Sequence, residues 1–313
     1  MLLNVLLGFP QLSVPSPING LLQIMLGMLV GFRMTRDELR SGVNALVPAA
    51  LLTALLIAIT VVPALVAASL TSVDIVTALF AAAPGGLTEM SVVSVSFGAD
   101  GVAVATVQLV RVLLALAAIN LLLRRFEPKD EPTSSQEQDN APAERTGLAE
   151  DLKRFGVAAP WGTLGGLAGI ISSAPAGGII GALIGSAAFR LLTERPVPLR
   201  KFQLGVQALG GGIIGLGISS NFLSELAQHA GAWALIVTSQ MLFWLVMGWL
   251  LIRFFRYDLP TATLASTPGG MSAVISTAGE ASADVVIVTF IQLVRLSTII
   301  VVVPLLVTLI FSR

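Results

Sequence analysis

Arg111 and Arg295 stand deep inside two apolar runs, Val102–Leu123 and Val285–Phe311. Near mid-bilayer a cation costs on the order of 3 to 10 kcal/mol unless it is paired or hydrated, so each is a candidate for function. Gln108 and Gln292 lie one helical turn before the arginines, and each pair shares a helix face. Upstream of each pair, Pro84-Gly85-Gly86 and Pro268-Gly269-Gly270 interrupt an apolar segment. Proline removes a helix donor and glycine loosens the backbone, which leaves helix ends exposed. A half-helix that starts there offers free N–H groups and a positive dipole end to an anion. Two such ends meeting near the midplane with two arginines suit a carboxylate-bearing or similar small anion. Thr88, Glu89, Ser272, Ser276 and Thr277 follow the breaks and can line the site.

A plainer reading fits the same residues. Each arginine neutralises carbonyls or a carboxylate freed by the break, with Asp100, Asp284 or Glu89 as counter-ion. Asp100 and Asp284 also read as helix caps, since Gly98-Ala99-Asp100 precedes a clean apolar run. Glu89 has no acidic twin, because Ala273 stands at the equivalent place. That makes it a proton-coupling carboxylate or a lipid-edge residue near an interface.

Other chemistry is excluded by what the chain lacks. There are no cysteines and a single histidine, His229, which reads as a polar residue in a loop between spans. A copper or iron centre needs several His, Cys or carboxylate ligands, so no metal, cofactor or catalytic residue is expected and the chain does not read as an enzyme. Gly210-Gly211-Gly212 lacks the Lys-Ser/Thr pair of a phosphate loop. Lys plus Arg balances Asp plus Glu at 18 each, so no basic surface points to nucleic acid.

The elements that position these residues are membrane helices. Apolar residues make up 55% of the chain and charged residues 12%, about half the charge of a soluble globule. Val43–Leu70 and Gly231–Ile252 carry no charge, and each is long enough for a hydrocarbon core that takes roughly 20 residues to cross. Gly20–Met34 reads as a further helix, Arg33–Arg40 as a charged loop, and Ile75–Phe97 as an apolar segment broken at Ala83–Gly86. After the polar stretch Arg124–Arg154, Pro160–Leu192 is apolar and broken at Ser172–Pro175. Val206–Ile218, Ala230–Ile252, Thr261–Gly279 and Val285–Phe311 complete the set. The domains are therefore a first membrane repeat over 1–123, a polar flexible linker over 124–157, whose composition cannot bury a core, and a second repeat over 158–313.

The repeat itself is explicit. Pro84-Gly85-Gly86, Ala99-Asp100 and Gln108-Leu109-Val110-Arg111 recur 184 residues later as Pro268-Gly269-Gly270, Ala283-Asp284 and Gln292-Leu293-Val294-Arg295. The same offset places Gln23 on Gln207, Gly27 on Gly211 and Gly31 on Gly215, small-xxx-small patterns that suit close helix packing. Basic residues do not follow the offset. Arg33, Arg36 and Arg40 fall on Gly217, Ser220 and Ser224, while Arg253 and Arg256 fall on Ser69 and Ser72. Arg190, Arg195, Arg200 and Lys201 fall on Leu6, Gln11, Ser16 and Pro17. Arginines that swap ends of equivalent helices indicate two copies inserted upside-down to each other. Arg124 and Arg125 stand against this, because inversion by an odd number of crossings puts the linker outside. The expected fold is an all-α polytopic membrane protein of two inverted repeats with about five helices each. The first is N-terminally incomplete: Met1–Phe9 has no signal-peptide pattern and reads as the tail of a leading helix, as if the chain started roughly 20 residues late.

On these residues the chain resembles the AbrB-type membrane proteins of Gram-negative bacteria. Their hallmark is a duplicated hydrophobic unit with a Pro-Gly-Gly segment, then a helix bearing an Asp and a Gln-x-x-Arg-like element. The resemblance covers nearly the whole chain except the linker, and the missing leading helix and long linker depart from it. It is not a resemblance to the soluble DNA-binding regulator fold of the same name, of which nothing is present. The resemblance implies labels such as ammonia monooxygenase, a regulator of it, or a regulator of gene expression. It equally implies a plan like that of secondary transporters with broken helices in inverted repeats. The residues favour a secondary transporter or exporter of a small, anionic solute by alternating access. The alternative is a membrane-embedded regulator or sensor that does not transport. The expected setting is the bacterial inner membrane, multi-pass, with lipid, a small solute and a homo-oligomer as partners, and no nucleic acid.

Overall fold

A computed structural model of the 313-residue chain describes residues 16–41, 45–126, 148–172, 174, 176–218, 222–268 and 271–311. All elements among them are helices. The first half comprises α1 (Ser16–Gly31), the short α2 (Arg36–Ser41), α3 (Leu46–Leu70), α4 (Ile75–Ala82), α5 (Leu87–Ser96) and α6 (Gly101–Phe126). The second comprises α7 (Leu148–Ile171), α8 (Gly177–Thr193), α9 (Leu199–Leu216), the short α10 (Phe222–Gln228), α11 (Ala230–Phe255), α12 (Leu259–Ser266), α13 (Met271–Glu280) and α14 (Val285–Phe311). At the 184-residue offset, α3 to α6 begin on the residues equivalent to the starts of α11 to α14. Among the described residues, α3, α6, α11 and α14 are long and apolar enough to cross a membrane, and α1 and α8 are shorter apolar helices.

The Pro-Gly-Gly segments do not cross. Asp74 caps α4 by accepting from the Thr77 N–H at 3.0 Å, and the Thr77 hydroxyl oxygen in turn accepts from the Asp100 N–H at 3.0 Å. Residue 77 near the start of α4 is thus bonded to residue 100 at the start of α6. The segment between them goes in, turns at Ala83–Gly86, and returns to the face it came from. The second half repeats the device: Asp258 accepts from the Thr261 N–H at 3.0 Å, and the Thr261 oxygen accepts from the Asp284 N–H at 2.8 Å. Each half therefore holds a re-entrant helical hairpin, α4–α5 and α12–α13. Periodicity alone cannot distinguish such a hairpin from a kinked span.

Chain direction follows from glycine contacts. A Cβ on Gly27 would lie 2.2 Å from the Ile179 carbonyl oxygen, and one on Gly31 would lie 2.4 Å from that of Leu183. Both residue numbers rise together, so α1 and α8 run parallel. Gly165 faces Gly181 and Gly169 faces Gly177, so α7 and α8 form an antiparallel hairpin. Residues 194–198 between α8 and α9 reach about 17 Å, less than the ~30 Å of a hydrocarbon core. Helix α9 therefore re-enters from the face where α8 leaves. It runs opposite to α8, hence opposite to α1, its own equivalent. The two repeats are inverted.

Inversion gathers the basic residues on one face. Arg33 at the end of α1 donates to Gln203 near the start of α9, and Arg36 pairs with Glu194 at the end of α8. Lys201 pairs with Asp151 at the start of α7. From that face α3 crosses, the first hairpin returns to the far face, and α6 crosses back, ending in Arg124 and Arg125. The expectation that an inverted plan puts the linker outside is thereby overturned, since the hairpin contributes no crossing. Helix α9 leads away from that face and α11 returns to end in Arg253 and Arg256. The positive-inside rule associates a face of this kind with the cytoplasmic side of a membrane. The first hairpin enters from the opposite face and the second from the basic one.

Other sequence expectations are adjusted. Arg33–Arg40 includes α2, and Pro160–Leu192 is the α7–α8 hairpin rather than one broken span. The last ten residues of the supposed linker are helical, because α7 starts at Leu148. Glu150 and Asp151 sit in its first turn, where acids suit the dipole, and Arg154 closes an i,i+4 pair with Glu150 at 2.7 Å. Residues 127–147 and Met1–Phe9 lie outside the described residues. Gly211 and Gly215 do not pack as Gly27 and Gly31 do: nothing lies within 4 Å of a Cβ at either. Helix α8 covers the Gly27 and Gly31 face of α1. Gly210 takes the packing role instead, with Thr88 Cγ2 2.5 Å from where its Cβ would be.

Candidate functional site

Each hairpin tip is held by the arginine helix of its own half. Helix α4 runs parallel to the first half of α6, so Gln108 and Arg111 draw level with the turn. Gln108 Nε2 donates to the carbonyl oxygens of Phe80 (3.1 Å) and Ala83 (2.7 Å), which the interruption at Pro84 leaves without helical partners. Arg111, fully buried, donates to the carbonyls of Ala83 at 3.4 Å and Gly85 at 3.1 Å. A Cβ at Gly85 would lie 2.4 Å from Met90 Cγ, so the buried Met90 side chain would have to shift to admit one. In the second half Gln292 Nε2 donates to Leu264 (3.0 Å) and Thr267 (3.2 Å), the equivalent carbonyls. Arg295, 4% exposed, donates to the Thr267 carbonyl and to Gln292 Oε1.

The two tips belong to one centre. Helix α4 touches α14, which carries Arg295, and α12 touches α6, which carries Arg111. No described carboxylate forms an ion pair with either arginine. Asp100 and Asp284, offered as counter-ions or caps, are exposed and bonded to backbone at the hairpin mouths: Asp100 Oδ1 accepts from Val102 and Ala103 (2.9 and 3.1 Å), and Asp284 Oδ1 from Ile287 (3.0 Å). Glu89 is half-buried in the first turn of α5. Its carboxylate lies against Gly86, and it is within electrostatic reach of Arg33 rather than of the central arginines. Burial holds the Arg33 pKa below the usual guanidinium value, and Glu89 partly offsets this. Thr88 is buried with its methyl on Gly210, Pro84 and Pro268 are buried, and Thr277 is half-buried on α13. Gly269, Gly270 and the side chains of Ser272 and Ser276 lie outside what is described.

One residue of this centre escaped sequence reasoning. Gln240, 1% exposed on α11, donates from Nε2 to the Ala82 carbonyl and accepts from Arg111 at 3.2 Å. It ties the first tip to the opposite repeat. Its equivalent is Leu56, so the repeat hid it, although a single amide in the charge-free run Gly231–Ile252 was a visible signal. Three polar atoms of the centre have no hydrogen-bond partner among the described residues: Arg111 Nε, Arg295 Nε and Gln108 Oε1.

This duplicated architecture meets a family model described as "Transition state regulatory protein AbrB", which matches residues 1–127 and 178–313. The chain belongs to the AbrB family. Within reach of that family are two named relatives. The Bacillus subtilis (strain 168) "Uncharacterized protein YhjN" is 28% identical over 174 residues, covering 53% of this chain and 44% of that one. The Escherichia coli (strain K12) "Putative regulator AbrB" is 25% identical over 224 residues, covering 71% of this chain and 62% of that one. The chain thus spans 44% and 62% of the lengths of these two relatives. No solved structure matches it.

Proposed function

We propose that this AbrB-family protein is a secondary transporter of small anions in the bacterial inner membrane, working by alternating access. The observation that carries the reading is the pair of buried guanidiniums, one on each hairpin tip and without a carboxylate partner among the described residues. Backbone carbonyls take up several of their N–H groups but do not cancel two charges. In a low-dielectric interior an anion between them answers that imbalance. The hairpins supply the access steps: one opens toward each face, and a tip that swings away from its arginine exposes the centre to that side only. The chain performs no bond chemistry in this scheme, and the solute is its substrate.

The test is flux in liposomes carrying the full chain, with a labelled panel of small carboxylates. Transport that Arg111→Ala and Arg295→Ala each abolish, in protein that elutes as folded material, supports the reading. A regulator or sensor would instead bind without flux, and deletion would alter gene expression while no panel member moved.

A further inference from the structure

The two half-sites carry the same four roles but are wired differently. In the second half Arg295 donates to Gln292 Oε1, so that amide is used at both ends: its nitrogen on Leu264 and Thr267, its oxygen on the arginine. In the first half the nitrogen of Gln108 is committed in the same way, to Phe80 and Ala83. Two carbonyl acceptors fix the amide orientation, so Oε1 is the atom that points away from the tip. Arg111 does not answer it. Its terminal nitrogens go to Ala83, Gly85 and Gln240. Gln108 Oε1 is left as a buried acceptor without a partner among the described residues, beside the equally unmatched Arg111 Nε. Gln240, one of the acceptors of Arg111, has as its counterpart Leu56, which is fully buried and apolar.

We infer that the first half-site is the one that discriminates among solutes, and that it takes an anion that also carries a hydrogen-bond donor, such as a hydroxy acid. The anionic group meets the guanidinium, and the donor meets Gln108 Oε1. Gln240 is the positioning residue: it draws Arg111 away and leaves the acceptor open. The inference rests on the anion-transport reading and narrows its substrate class. A solute without the donor leaves a buried oxygen unmatched, the situation in which polar sites reject analogues most strongly.

The experiment uses the full chain in liposomes and a near-isosteric pair of probes, lactate and propionate, which differ by one hydroxyl. Lactate is expected to move or compete about tenfold better than propionate. In Gln240→Leu, Arg111 is released to close on Gln108 as Arg295 does on Gln292, so the ratio of lactate to propionate flux falls toward one. A variant that merely loosened the fold would lower both fluxes and leave the ratio. Gln240→Met removes the same amide should the leucine variant not reach the membrane. Equal flux of the two acids in the parent protein, or a ratio unchanged by either Gln240 variant, overturns the inference and leaves anion transport standing. Flux of neither acid, nor of any member of the carboxylate panel, overturns the transport reading and the inference together.

Discussion

The two hairpins are built to one plan, and among the described residues they differ most plainly in what reaches them from outside. Inside each, the cap, the Thr–Asp bond across the mouth and the glutamine on two tip carbonyls recur position for position. Outside, Gln240 from the opposite repeat grips the first tip, and Leu56 offers the second tip nothing polar. Duplication has preserved the bonds that make a hairpin and released those that connect it. The same contrast separates α1 from α9: one glycine face is closed by α8, and its copy is open among the described residues.

Removing either central charge is the sharpest way to break the comparison. Arg111→Ala and Arg295→Ala are each expected to reduce anion flux by about 100-fold, corresponding to roughly 2.7 kcal/mol, if the tips act as a single centre. Losses that differ by an order of magnitude would show two separate sites. Next, Gly27→Leu is expected to lower stability by about 1 to 3 kcal/mol through overpacking against the Ile179 carbonyl. Gly215→Leu should stay within about 0.5 kcal/mol, and thermal unfolding in detergent compares them. A similar loss at both would mean that α9 is covered as α1 is.

Smaller effects sharpen the likeness. Thr77→Val and Thr261→Val each delete a bond across a hairpin mouth and should cost about 1 kcal/mol apiece by the same measurement, with equal size in the two halves. Arg154→Ala, at an exposed pair on α7, should change stability by less than about 0.5 kcal/mol and less still at high salt. Orientation has a yes-or-no test, because the chain has no cysteine of its own. Arg36→Cys should label only from the side of the basic face and His229→Cys only from the other.

The register of the repeat was legible because four blocks share one offset, and the swapped arginines carried the inversion. What the sequence concealed was the path of the broken segment. An apolar stretch with a Pro-Gly-Gly interruption reads alike whether it crosses or turns back, and the Thr77 hydroxyl that decides it looks like any other threonine. Arg124 and Arg125 contradicted inversion only under the crossing assumption. At the site, the arginines and glutamines announced themselves by polarity within apolar runs, and Gln240 had that signal too. Reading by repeat suppressed it, since attention went to residues that recur. Gly211 and Gly215 misled for the converse reason: a shared pattern does not ensure a shared neighbour.

Pinning a hairpin at its mouth makes it a lever with a fixed fulcrum. Helix α4 has eight residues, an arm of about 12 Å. A tilt of about 10° at the Thr77 end carries the tip roughly 2 Å, enough to part a guanidinium from a carbonyl while the base stays where it is. Opening on this scale needs no helix to slide across the bilayer, and its amplitude is set by the length of four short helices.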